Sequence, residues 1–206
     1  MGQMSDPASR TWADMINANP NHSEFYIERF KQMEREGHDL FGEARLVDAM
    51  VSRNSRILDA GCGPGRIGGY LATLGHAVVG VDLDPKLVEE AKTVHPNGTW
   101  FVEDLETFDL STRDIDTQFD LVFSAGNVLP FVREEGRASA VERMARHTAP
   151  DGRLVIGFGS GRGYSFESFL RDAEAAGMTP DHLASTWDLR PFTAESDFIV
   201  AILSRR

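Results

Sequence analysis

The residues whose types and spacing most plainly point to ligand chemistry are Asp59-Ala60-Gly61-Cys62-Gly63-Pro64-Gly65-Arg66. They follow the short apolar run Ile57–Ala60 and precede a helical pattern that begins at Arg66, so they occupy a strand-to-helix turn. Such turns place a ligand outside the carboxyl ends of the strands. Glycine there tolerates unusual dihedrals and lets bare backbone approach a ligand that a Cβ would exclude. A dinucleotide site wants G-x-G-x-x-G with pyrophosphate on the helix N-terminus. Gly61 and Gly63 fit that spacing, but the third slot is Arg66 and the extra glycine falls at Gly65. Asp59 would repel a pyrophosphate and would favour an ammonium group. The spacing argues against a dinucleotide.

Acidic residues recur at the ends of the following strands. Asp82, in Val81-Asp82-Leu83-Asp84-Pro85, stands where a carboxylate can accept from both hydroxyls of a ribose. Capping the helix that starts at Pro85 is its competing role, and Asp84 suits that role better. Asp104, before Leu105, can accept from an adenine amino group or serve as a solvated loop acid. The segment Ser124-Ala125-Gly126-Asn127 ends a further strand at the same rim. Cys62, the one cysteine, reads as a small space-filler, since nothing nearby would activate its thiol. The six histidines show no metal spacing, and no metal site is expected. No G-x-S-x-G elbow supports a nucleophilic triad.

The elements that must position these groups follow from periodicity. A short helix is expected near Trp12 within an otherwise irregular N-terminus. A second helix runs from an N-cap at Ser23 to Gly37, and a third carries Leu46, Val47, Met50 and Val51 on one face. Strands are predicted at 57–60, 77–81, 99–102, 119–123 and 153–158, with two more near 182–189 and 198–203. Helices are predicted at 66–74, from Pro85, at 134–147 and at 166–176. The alternation implies a doubly wound, mostly parallel α/β sheet with helices on both faces. One antiparallel strand belongs near the C-terminus, and a helical N-terminal cap precedes the sheet.

Composition narrows the partners. With 206 residues, 41% hydrophobic and 26% charged, the chain reads as one globular domain. A net charge of −11 disfavours nucleic acid and anionic membranes as partners. No apolar stretch is long enough for a membrane helix, and no secretory signal or myristoylation motif starts the chain, since Asp6 stands where Ser or Thr is needed. A single cysteine fits a cytoplasmic protein, either monomer or homodimer.

These segments, in this order, resemble a class I S-adenosylmethionine (SAM)-dependent methyltransferase of the small-molecule type. The likeness runs from about Arg56 to the C-terminus. It implies a Rossmann-like core over residues 55–206, with residues 1–54 as cap or lid of a single domain. The cofactor it implies is SAM, with S-adenosylhomocysteine as product. It places Asp59, Gly61, Cys62, Gly63, Gly65 and Arg66 in the cofactor loop and Asp82 on the ribose. Leu83 would pack on the adenine, Asp104-Leu105 would contact it, and Ser124 and Asn127 would border the methionine. Tyr26, Arg29 and Arg45 are candidates for the methionine carboxylate and the lid, although Tyr26 also reads as helix packing and Arg45 as a surface ion-pair residue.

The resemblance further implies in-line methyl transfer to a small-molecule substrate, with no assigned catalytic residue. A general base is needed only for a nucleophile with a high-pKa proton. Asn127 lacks the Asn-Pro-Pro-Tyr surroundings of amide and base N-methylation. Phe131, Trp100, Trp187 and Phe192 are candidates for an aromatic pocket, and His22 and His38 flank the expected lid helix. Retention of SAM without turnover and a Rossmann-type NAD(P) oxidoreductase are the competing readings.

Overall fold

The computed structural model describes residues 10–115 and 118–205. The expectation for Asp6 lies outside the described residues. The strands are β1 (Arg56–Ala60), β2 (Ala77–Asp82), β3 (Thr99–Val102), β4 (Phe119–Ser124), β5 (Thr148–Gly159), β6 (Met178–Ala184) and β7 (Phe198–Arg205). They form one sheet in the order β3-β2-β1-β4-β5-β7-β6. β7 runs antiparallel to both β5 and β6, and the remaining pairs are parallel. The helices are α1 (Trp12–Ala18), α2 (His22–Arg35), α3 (Gly42–Ala49), α4 (Arg66–Thr73), α5 (Pro85–Val94), α6 (Arg137–His147) and α7 (Phe166–Ala175).

Side chains alternate across a strand, and that alternation sorts β1. Leu58 and Ala60 join the core beneath α6 and α7, with Val141, Met144 and Phe169. Ile57 joins the opposite core, beneath α3, α4 and α5, with Val47, Leu71 and Val88. Asp59 shares the parity of Ile57 and so faces α4. The chain leaves β1 toward β2 on one side and later resumes at β4 on the other. That reversal opens a crevice beyond the carboxyl ends of β1 and β4.

Four local expectations need correction, the first at β5, which begins at Thr148 rather than at 153. Ser23 does not cap α2; Asn21 holds the cap position without a side-chain bond, and Ser23 lies inside the helix, buried. Glu134–Gly136 forms a 3₁₀ turn, and α6 begins only at Arg137. The sixth strand spans Met178–Ala184 rather than 182–189, with a register shift between Pro180 and His182 against β7. It is an edge strand with three exposed residues in a row, so it carries no continuous apolar run.

The sheet's other edge is packed by one large ring. Gly80 of β2 pairs in register with Trp100 of β3, and a Cβ on Gly80 would lie 2.3 Å from Trp100 Cε3. The indole is fixed by donating Nε1–H to the His95 carbonyl at 2.8 Å. Overpacking such a site costs about 1–3 kcal/mol. Gly80→Ala should therefore lower the free energy of urea unfolding by that amount. An unchanged urea midpoint would show that the ring moves aside freely.

Candidate cofactor site

The crevice is a cleft of about 360 Å³, within the range of small-molecule sites. Its floor is the turn after β1. Gly61 has φ +83°, and a Cβ there would meet Val128 Cγ1 at 2.4 Å, so the loops after β1 and β4 touch backbone to side chain. The N–H groups of Gly61 and Cys62 both donate to the Val81 carbonyl, at 2.8 and 3.0 Å. Gly65, also with positive φ, is the N-cap position of α4 and has no side chain to offer. Asp59 takes over from the strand: its Oδ2 accepts the N–H of Gly68 at 3.0 Å, one of the donors left free in a helix's first turn. The acid is buried, and burial pushes its pKa up to about 7.

Asp82 ends β2 with both oxygens engaged. Oδ2 accepts from Gly63 N–H at 2.8 Å and Oδ1 from Asp84 N–H at 2.9 Å. Burial raises its pKa to about 6, against the lowering effect of those two bonds. Asp104 also lines the cleft and turns Oδ1 onto the N–H of Glu106, at 2.9 Å. Among the described residues no salt bridge includes Asp59, Asp82 or Asp104. The two arginines beside them are already paired. Arg66 pairs with Glu43 at 2.9 Å and sits over the Phe30 ring. Arg133 grips Glu106 with two donors across the rim. Three carboxylates outside any salt bridge therefore converge on one cavity, with Arg66 and Arg133 nearby but paired to other acids.

Of the sequence-predicted residues, Asp59, Gly61, Cys62, Gly63 and Arg66 line the cleft, joined by Tyr26 from α2. Asp82, Leu83, Asp104 and Leu105 also line it, Leu83 half-exposed at the rim. Burial raises the Tyr26 hydroxyl and the Cys62 thiol, which keeps both protonated. Five expected residues do not line it, the first being Arg29, which is exposed on α2. Gly65 faces away, toward Ala91, His95 and Trp100. Ser124 is buried, and its hydroxyl finds no hydrogen-bond partner among the described residues. Asn127, at φ +64°, turns its Oδ1 onto the N–H of Gly159 at 2.6 Å and ties β4 to β5. Arg45 is exposed and pairs with Asp39 at 2.5 Å, away from the cleft.

Among the aromatic candidates only Phe131 lines the cleft. Trp100 is core, Trp187 packs on Gly157, and Phe192 packs on Phe166. His22 lies edge-on to Trp12, and His38 is exposed beside Glu36. The sequence reading missed Trp12, Phe30, Glu106 and Arg133. Phe30 was findable, four residues after Tyr26 on one helix face and 5.0 Å from its ring. Trp12 carried no local signal, being one aromatic in a polar stretch.

Residues 57–152 match the family described as a methyltransferase domain. A TehB-like SAM-dependent methyltransferase from Corynebacterium glutamicum superposes with a TM-score of 0.87 at 48% identity. That match covers 91% of this chain and all of the other. A malonyl-[acyl-carrier protein] O-methyltransferase of Enterobacter lignolyticus is 34% identical over 119 residues, 55% of this chain and 45% of that protein. An uncharacterized methyltransferase of Bacillus subtilis, YodH, is 34% identical over 119 residues, 56% of this chain and 48% of that one. The chain thus spans about half the length of these two curated relatives. With the doubly wound sheet and the glycine-floored cleft, these likenesses place the chain among the class I SAM-dependent methyltransferases, and SAM is the cofactor of that family.

The residues fit such a group. The cleft offers bare backbone at Gly61, the buried Asp59 and the part-buried Asp82 and Asp104, none of them in a salt bridge, and SAM brings a sulfonium and an ammonium. Ionised acids bind a cation and protonated acids do not, so occupation must expel protons wherever Asp59 and Asp82 are still protonated. SAM titrations in buffers of different ionisation enthalpy, at pH 6 and at about pH 7.5, below the range where the α-amino group of SAM itself loses its proton, should show proton release that is larger at the lower pH, with affinity rising between the two. Equal proton counts at both pH values would mean that these acids are already ionised in the empty cleft.

Proposed function

We propose that this chain transfers the methyl group of SAM to a small-molecule acceptor by in-line displacement. The observation that carries the reading is the convergence of Asp59, Asp82 and Asp104, each outside any salt bridge, on a cleft at the carboxyl ends of β1 and β2. Residues 55–206 act as the Rossmann-like core and residues 1–54 as its cap.

Each acid has a separate task. Asp82 presents to the ribose hydroxyls the lone pairs its two backbone bonds leave over, since an ionised carboxylate has about four acceptor sites. Leu83 covers one face of the adenine from the rim, and Asp104-Leu105 borders its edge. Asp59 lies on the side of the ammonium group, behind the glycine turn. Tyr26 reaches the same end from the cap. Bound SAM supplies a methyl carbon already activated by the sulfonium, so the chain need only bind, align and exclude water. Trp12, Tyr26, Phe30 and Phe131 form an aromatic wall suited to the last task. Alignment alone is worth about 7–11 kcal/mol of a barrier.

The roof over the cleft and the net charge of −11 favour a small acceptor over a nucleic acid. Among the described residues no helix is long and apolar enough to cross a membrane.

Calorimetry with SAM and S-adenosylhomocysteine, followed by transfer from labelled SAM into a metabolite extract, tests the reading. Binding together with label in a small product is expected. Binding with no labelled product from any extract would favour retention without turnover. Asp82→Ala should weaken SAM binding by about 1.5–3 kcal/mol, the scale of hydrogen bonds to a charged group. Undiminished affinity in a folded variant would misplace the ribose.

A further inference from the structure

Asp84 is buried, its carboxylate accepts three hydrogen bonds, and it has no part in binding SAM as described above. Its Oδ1 accepts the N–H of Lys86 at 2.9 Å, the ordinary duty of an N-cap for α5. Its Oδ2 does something a cap does not require. It accepts the Ser23 hydroxyl at 2.5 Å and the Trp12 indole N–H at 2.9 Å. These donors lie 61 and 72 residues earlier, one on α2 and one at the start of α1. Asp84 also donates its own N–H to Asp82 Oδ1. One residue therefore bonds to the ribose acid through its backbone and to both cap helices through its side chain.

α1 has little else to hold it. It is seven residues long and none is buried, and an isolated helix of that length does not persist in water. The capping box between Thr11 and Asp14 closes its first turn but attaches it to nothing. Its attachment is Trp12, through the bond to Asp84 and edge-on contacts with His22 at 4.8 Å, Tyr26 at 5.3 Å and Phe131 at 6.2 Å. Thr11, Trp12 and Ala13 all line the cleft, so freeing this helix removes one wall. On the outer side Lys86 adds a bond to the Pro20 carbonyl and pairs with Glu24, both exposed and therefore weak.

We infer that Asp84 is a positioning residue for the cofactor: its carboxylate latches the α1–α2 cap to the turn that orients Asp82, so that cap closure and ribose binding are one event. This rests on the reading of the cleft as the SAM site. Asn caps a helix as well as Asp does, so Asp84→Asn keeps α5 intact. The amide has a single carbonyl oxygen, however. With that oxygen on Lys86 N–H, an NH₂ group confronts the two cap donors. Trp12→Phe and Ser23→Ala remove those donors and leave Asp84 itself untouched.

Two measurements test the latch. In stopped-flow binding of S-adenosylhomocysteine, Asp84→Asn and Trp12→Phe should dissociate about tenfold faster, with association no slower than in the parent, as expected when one charge-assisted bond holding a closed state is lost. In the ligand-free protein, amide hydrogen exchange should quicken over residues 12–18 in Asp84→Asn while residues 85–94 keep their protection. Unchanged exchange in α1 overturns the latch, as does an affinity loss carried wholly by slower association, the mark of a deformed ribose site. If Asp84→Asn does not fold, Ser23→Ala and Trp12→Phe carry both measurements from the cap side. A parent that ignores S-adenosylhomocysteine refutes the proposed function, and the exchange comparison still decides the latch.

Discussion

The Asp82 carboxylate is held by two backbone N–H groups that belong to different turns, Gly63 after β1 and Asp84 after β2. This pair of bonds sets the distance between the glycine floor and the acidic rim, and the rest of the cleft is arranged around it. The sheet order makes the arrangement possible, because β1 and β2 are parallel neighbours whose carboxyl ends emerge side by side. The Val81 carbonyl reinforces it by accepting two further N–H groups from the floor. Aspartate is well suited to the position, since both of its oxygens can take a backbone donor and still have lone pairs facing outward.

The same cleft is where the structure is least comfortable. Buried acids with raised pKa values are unfavourable in an empty protein, and a nonpolar residue would be tolerated more easily. Asp59 partly offsets its burial by capping the first turn of α4, a task that Gly65 cannot perform. Its charge is thus serviceable to the fold and also available to a ligand. Local rules broken at one place and repaired nearby are the usual signature of a functional site. The aromatic roof follows the same logic, since Trp12, Tyr26, Phe30 and Phe131 pack edge-on in a chain that borders the cleft.

Most of the fold was legible because its signals are local. β3 was placed residue for residue, and α4 and α7 to within a residue or so at their ends, since a continuous apolar run or a 3.6 period marks each one. The glycine turn and the acids at Asp59, Asp82 and Asp104 were legible for a similar reason, as each stands at the end of a readable strand. The failures were tertiary. Ser23 sits in sequence where a cap would, but its hydroxyl is taken by an acid 61 residues away. Asn127 and Arg45 are on the expected segments, yet their side chains find Gly159 and Asp39 instead of the cleft. β6 was displaced because an edge strand containing Pro180 has neither apolar continuity nor clean alternation.

The antiparallel strand has a consequence for how the chain reaches this state. β7 lies between β5 and β6, so residues 198–205 fill an interior slot rather than extend a margin. Until they arrive during synthesis, the residues of β5 from 153 to 159 present a bare ladder of donors and acceptors on an apolar strand. Such a ladder is the kind that recruits a neighbouring chain. The enzyme-like half of the molecule, with its crevice already walled by β1, β2 and β4, must therefore wait for a hairpin that contributes nothing to the ligand pocket.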